Sequence, residues 1–160
     1  MSAFTAFHVL LSLIGIAAGF VAIFGLIGGR WIGFWISTFL WTTILTSVTA
    51  FFFPFKGVTP GIILGIISLV VLAISLVALY SKKLAGGWRT TFVITAVMAQ
   101  YFNFFVLIAQ SFGKIPALHA LAPTQSEAPF KIAQLTALIL FVILGVLATR
   151  NFRRAELKTA

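Results

Sequence analysis

Gly61-Ile-Ile-Leu-Gly-Ile-Ile-Ser-Leu-Val-Val-Leu-Ala-Ile-Ser-Leu-Val-Ala-Leu-Tyr80 carries no charge, and its reading decides the fold. A bilayer's hydrocarbon core takes about 20 helical residues to cross. A strand of a membrane barrel alternates apolar and polar side chains over about ten positions, whereas this run is apolar throughout apart from small Gly and Ser. In hydrocarbon a helix satisfies each of its backbone N–H and C=O groups internally. The stretch therefore predicts a transmembrane helix over 61–80.

Four more stretches share this character: Phe4–Gly28, Gly33–Phe55, Trp88–Phe112 and Lys131–Thr149. The breakers stand between them. Gly28-Gly29-Arg30, the pair Pro54 and Pro60, and Lys82-Lys83 with Gly86-Gly87 make three short links, because Gly and Pro end helices. Short links make consecutive helices antiparallel neighbours. The fourth link, Gly113–Phe130, is long and holds Pro116, Pro123 and Pro129. The first run has no Lys or Arg ahead of it and is about twice the length of a signal-peptide core, so it reads as a retained helix. The expected fold is all-α: one polytopic membrane domain over 1–160, a bundle of five transmembrane helices.

Composition agrees. The 160 residues are 61% hydrophobic and 8% charged, against about 25% charged in soluble domains. Eleven Lys and Arg face two acids, a net charge of +9. With five spans, Arg30, Lys82, Lys83, Arg89, Arg150, Arg153, Arg154 and Lys158 fall on one side, and Lys56, Lys114 and Lys131 on the other. The positive-inside rule then puts the N-terminus and the long fourth link outside and the C-terminus in the cytoplasm. Charge that flanks apolar spans orients the chain and meets anionic lipid; it does not indicate nucleic acid. Trp31, Trp35, Tyr80 and Trp88 fall near the inner boundary, as an aromatic belt does. Trp41 lies deeper.

Much chemistry is excluded. There is no Cys and no Asp, and the only acids are Glu127 and Glu156, so thiol chemistry and a carboxylate pair within the bundle are absent. No G-x-S-x-G elbow, phosphate loop or dinucleotide fingerprint occurs. Gly25-Leu-Ile-Gly28-Gly29-Arg30 is a glycine-rich helix end. His8, His119 and Glu127 could offer three ligands to a metal, and His8 with His119 a pair for a haem. Neither set has ligand spacing; no metal site is assigned, and the sequence names no cofactor. The leading reading is of a non-enzymatic protein, with a metal- or haem-binding enzyme as a lesser alternative.

Residues three, four and seven apart share a helix face. His8, Ser12, Gly15, Gly19 and Ala22 form a small face with a GxxxG, which lets helices approach closely in membranes. Thr38, Thr42, Thr46 and Thr49 form a stripe whose hydroxyls either bond back to their own helix or line a polar path. Gly61, Gly65, Ser68 and Ser75 make a second small seam. Gln100, Asn103 and Gln110 share a face of the fourth helix, and Gln134 shares one with Gly145 and Ala148. Carboxamides in hydrocarbon are costly unless hydrogen-bonded, so these amides point inward. In the orientation above, His8, Thr46, Asn103, Gln110 and Gln134 lie in the outer half, and His119 and Glu127 lie on the outer link. These seven are the candidate ligand-binding residues. Thr124-Gln-Ser-Glu127 also fits a capping box, which gives Glu127 a structural role at the start of the last helix. Ile115, Leu118, Leu121 and Phe130 suggest that the link lies on the bundle.

Leu45-Thr-Ser-Val-Thr-Ala-Phe-Phe-Phe-Pro-Phe55, Gly87-Trp-Arg89 and Leu121-Ala-Pro-Thr-Gln-Ser-Glu-Ala-Pro-Phe130 resemble patterns in small, uncharacterised bacterial inner-membrane proteins. The resemblance implies a multi-pass protein of a bacterial inner membrane; it carries no activity and no site residue. The leading functional expectation is a pocket in the outer half of the bundle for a small or lipid-like ligand, covered by the fourth link. The alternatives are a small oligomeric transporter or channel with Gln100 and the threonine stripe on its path, and an accessory subunit of a larger membrane complex. The expected partners are membrane lipids and either further copies of the chain or a larger membrane complex.

Overall fold

A computed structural model of the chain describes the backbone of residues 3–54 and 60–159 and the side chains of 3–54 and 61–152. The link 55–59, with Lys56, and the side chains of Arg153, Arg154, Glu156 and Lys158 lie outside the described residues. The apolar runs all become helices: α1 (Ala3–Ile27), α2 (Gly33–Ala50), α3 (Pro60–Leu76), α4 (Gly87–Lys114) and α6 (Ala128–Thr159), with a short α5 (Pro116–Leu121) inside the long link. The fold is all-α.

Local chemistry sets the ends. α1 stops in a Schellman turn: Arg30 N–H donates to the Gly25 carbonyl at 2.9 Å and Gly29 N–H to the Leu26 carbonyl at 3.0 Å, with Gly29 at φ +67°. That left-handed conformation is open to glycine without steric penalty. α2 ends at Ala50, earlier than the apolar run through Phe55 suggested, because Phe51 and Phe52 turn back onto the Val48 and Thr49 carbonyls ahead of Pro54, which disfavours helix in the residue before it. α3 widens into one π-helical turn over Val77–Ser81, and the chain then turns with Lys83 at φ +49° and Leu84 at +58°.

The fourth link is not the helix-free loop expected from its prolines. Pro116 opens α5, in the first-turn position where its missing N–H removes no hydrogen bond. α6 begins at Ala128, not at Lys131, and runs ten residues past Thr149 to Thr159. The onset of charge marks where an apolar span ends, and Arg, Glu and Lys are themselves good helix formers.

Contacts fix the arrangement. Around the bundle the order is α1, α2, α3, α4, α6 and back to α1, with α1 also touching α4 across the middle. At one end Trp31 stacks near Phe92 (5.7 Å) and Phe152 (6.1 Å). There the Arg89 guanidinium lies 4.8 Å from the Phe152 ring centre, and Asn151 donates to the Ile27 carbonyl at 2.9 Å. At the other end His8 packs edge-on against Phe53 (5.1 Å) and Phe112 against Phe130 (5.4 Å). The five long helices therefore run alternately up and down.

Among the described residues, four stretches are long and apolar enough to cross a membrane: Ala3–Ile27, Gly61–Ser81, Gly87–Lys114 and Ala128–Phe152. α2 is not among them. It has 18 residues, about 27 Å of helix, and its threonines and tryptophans dilute the apolar run. The bundle's outside is apolar on several faces: Ile63, Ile66 and Val70 on α3, and Ile139, Val142 and Val146 on α6, are exposed. Trp41 is also exposed, at 51%, which answers its depth in the run: it faces outward.

Burial is lopsided along the bundle axis. The tightly packed core comprises Ala18, Ala22, Ile23 and Leu26 of α1, Ile36, Phe39 and Leu40 of α2, Val71, Leu72 and Ala78, Phe92, Val93, Ala96, Val97 and Ala99 of α4, and Phe141, Ala148 and Phe152 of α6. All lie in the middle or toward the Trp31 end. Polar contacts dominate the other half.

Candidate ligand-binding cavity

The small face of α1 is a two-sided packing seam. A Cβ on Gly15 would stand 3.0 Å from Thr42 Oγ1, and one on Gly19 only 2.1 Å from Gln100 Oε1. Gly15 thus admits α2, and Gly19 admits the Gln100 amide from α4. Gln100 is wholly buried and its Nε2 donates to the Ile16 carbonyl at 2.7 Å. The threonine stripe is mostly self-satisfied: Thr38, Thr42 and Thr49 hydroxyls donate to the Phe34, Thr38 and Leu45 carbonyls of their own helix.

Beyond Gln100, toward the His8 end, α1, α2, α3 and α4 splay around a cavity of about 520 Å³. Small residues make the space: Ser12 on α1, Ser47 and Ala50 on α2, Gly61, Gly65 and Ser68 on α3. His8, Thr46, Asn103 and Gln110 all line it, so four of the seven candidate residues meet in one place. The other three do not. His119 is exposed on α5. Gln134 is buried between α6 and α4, where it donates to the Phe105 carbonyl at 3.1 Å. Glu127 accepts from Thr124 Oγ1 (2.7 Å), Thr124 N–H (3.2 Å) and Ser126 N–H (3.1 Å).

Those bonds, the Thr124 hydroxyl first, hold the Glu127 carboxyl below the usual carboxylate range. Its backbone carbonyl accepts from Lys131 N–H, so Glu127 is the N-cap of α6, not the third residue of a helix capped by Thr124.

The long link folds against α4 and α6. Gln125 Nε2 donates to the Ala109 carbonyl at 2.8 Å, and Phe130 meets Phe112. Of the link, only Lys114 and Ile115 line the cavity. The expected cover over the pocket is therefore a flank at its rim. Sequence reasoning missed Lys114, Ser47, Ser68 and Gly65 as cavity residues. The Gly65–Ser68 seam was visible, but a seam and a cavity wall have the same composition.

Hydrogen bonding within the cavity is incomplete. Asn103 Nδ2 donates to Thr43 Oγ1 at 3.0 Å. Ser47 and Ser68 hydroxyls are 3.4 Å apart, at the weak limit of a hydrogen bond. Thr46 Oγ1 is buried without a hydrogen-bond partner. Thr49 Oγ1 lies 2.8 Å from His8 Nδ1; since its single hydrogen is directed at the Leu45 carbonyl, 2.7 Å away, His8 Nδ1–H is the donor of that pair. Among the described residues no three His, Cys, Asp or Glu come together as a metal would need.

Fold and surface define an all-α bundle with four candidate membrane spans, consistent with a multi-pass membrane protein. Comparison with protein-family models, with curated proteins and with solved structures finds no match for this chain.

Proposed function

We propose that the protein is a non-enzymatic membrane protein that binds a small or lipid-like molecule in the cavity between α1, α2, α3 and α4. The observation that carries this reading is the cavity itself. In a chain 61% hydrophobic, His8, Thr46, Asn103 and Gln110 gather with serines around about 520 Å³ of open space. That volume lies in the range of small-molecule sites. A mere packing seam would have closed, because protein interiors pack like organic crystals. Below the cavity Gln100 is clamped between Gly19 and the Ile16 carbonyl, which favours an occupied pocket over a standing pore.

All five long helices cross the membrane in this reading, α2 included: its Thr38, Thr42 and Thr49 hydroxyls bond to carbonyls of their own helix, which lowers the cost of placing them in lipid. Arg30, Lys82, Lys83, Arg89 and Arg150 gather at the Trp31 end, which is cytoplasmic by the positive-inside rule. The cavity then opens toward the outer leaflet, and the resemblance to bacterial inner-membrane proteins makes that membrane a bacterial inner one. A fluorescent protein fused after Ala160 should fluoresce in cells, and alkaline phosphatase at the same place should stay inactive. The opposite pattern would reverse the orientation.

The binding reading is tested at Gly65. Among the described residues a Cβ there meets the Phe51 ring, at 3.5 Å, which is ordinary contact, and leucine gains about 1 kcal/mol of helix propensity over glycine. Gly65→Leu should leave the thermal midpoint in mild detergent unchanged or higher. It should remove the molecules that native mass spectrometry finds on the wild type. Wild-type protein bare of any bound molecule after gentle extraction, or a variant loaded as fully as wild type, would count against the reading.

A further inference from the structure

Among the described residues, the titratable groups that line the cavity are His8 on α1 and Lys114 at the end of α4, and Lys114 is the fixed charge. The chain has two acids in all. Glu127 does not line the cavity, and its carboxylate already accepts three hydrogen bonds from Thr124 and Ser126. Glu156 falls in the last turns of α6, the helix that starts at the cavity's end of the bundle and runs away from it. No side-chain carboxylate therefore neutralises Lys114 or His8 at this site.

Beside the Lys114 ammonium stand polar groups with capacity to spare. Thr46 Oγ1 is buried and unpartnered, and a buried polar group without a partner is destabilising until a ligand or water supplies one. His8 donates through Nδ1 to Thr49, which leaves Nε2 as its remaining polar atom. Between the polar residues the walls carry apolar side chains: Val9 and Leu13 from α1, Leu64 from α3, Phe102 and Val106 from α4. The cavity thus combines a cation at the end of α4 with apolar surface from three helices.

Resting on the proposed binding function, we infer that the ligand is a single-chain amphiphile with an anionic head, its head held by the Lys114 ammonium and its chain lying along the apolar side chains of α1, α3 and α4. An acid head supplies the missing counter-charge, and charge-assisted hydrogen bonds to it are stronger than neutral ones. A neutral head of the same chain length leaves Lys114 without that partner.

The test uses full-length protein in a neutral detergent and three pyrene-labelled probes of one chain length: hexadecanoate, hexadecyl phosphate and hexadecanol. At least one anionic probe should bind wild type about tenfold more tightly than the alcohol, as one charge-assisted contact provides. Lys114→Gln should abolish most of that preference and leave alcohol binding unchanged. Lys114 is exposed at the rim, so the variant should keep the wild-type thermal midpoint. The preferred anion tells a carboxylate source from a phosphate one. Equal affinity for all three probes, blocked in Gly65→Leu, would overturn the anionic head while the cavity function stands. A preference that persists in Lys114→Gln would likewise overturn it. Failure of every probe, with Gly65→Leu indistinguishable from wild type, would overturn both.

Discussion

Gly19→Ala should unfold the bundle more readily than any other single methyl group added to it. The new carbon would stand 2.1 Å from Gln100 Oε1, 2.4 Å from Cδ and 2.9 Å from Nε2, where real contacts do not go below about 3 Å. Gln100 has no room to retreat, being wholly buried at the crossing of α1 and α4. Either α1 moves away from α4 or the amide swings off the Ile16 carbonyl, to which it donates at 2.7 Å. Overpacking plus a lost buried hydrogen bond costs about 2–4 kcal/mol.

Detergent-titration unfolding reads this loss directly. The same experiment carries an internal control: in Gly19→Ala/Gln100→Ala the methyl enters the space that the amide has left. The double variant should therefore be more stable than the sum of its single changes predicts, by about 1–2 kcal/mol. Additive behaviour would mean that the two residues do not meet as described.

Gly29→Val should have the second largest effect, for a backbone reason. Gly29 holds φ +67° in the turn that hands α1 to α2, and its N–H and that of Arg30 close the last open carbonyls of α1. A residue with a Cβ in left-handed geometry costs about 1–2 kcal/mol, and a β-branched one sits at the upper end. The turn also delivers Trp31 onto Phe92 and Phe152, so the change should loosen the contact of α1 with α4 and α6 at that end. Gly87→Ala is the matched control: a Cβ there meets nothing within 4 Å, at the start of α4, and stability should hold or rise. A Gly29→Val protein as stable as Gly87→Ala would show that the turn tolerates another geometry.

The helices were legible in the sequence because apolar runs of about 20 residues that lack a barrel strand's alternation can satisfy their backbone groups in lipid as helices. Of the four amides expected to face inward for the same reason, Gln100, Asn103 and Gln134 are buried, whereas Gln110, near the end of α4, is exposed. Their partners were not legible. Gln100 and Gln134 bond to backbone carbonyls, which every residue has, so no side-chain signal marks the acceptor. The link after α3 was legible, but the left-handed geometry of Lys83 and Leu84 within it was not, since neither residue favours positive φ. Leu84 N–H donates to the Ala78 carbonyl and its side chain packs on the core, so tertiary contact overrides local preference there. The cavity was half legible. Helical spacing brought His8, Thr46, Asn103 and Gln110 to one region, but spacing cannot say which way a long link folds, and His119 and Glu127 left with it.

Four carboxamides, Gln100, Gln125, Gln134 and Asn151, each reach out to a main-chain carbonyl, those of Ile16, Ala109, Phe105 and Ile27. Such a link has only one mutable end. The acceptor oxygen belongs to the peptide bond, and no change of side chain at Ile16, Ala109, Phe105 or Ile27 removes it. Selection on these fastenings therefore acts on the donor alone. Over evolutionary time the four amides should be held fixed, while the residues whose carbonyls they grip drift as freely as their size permits.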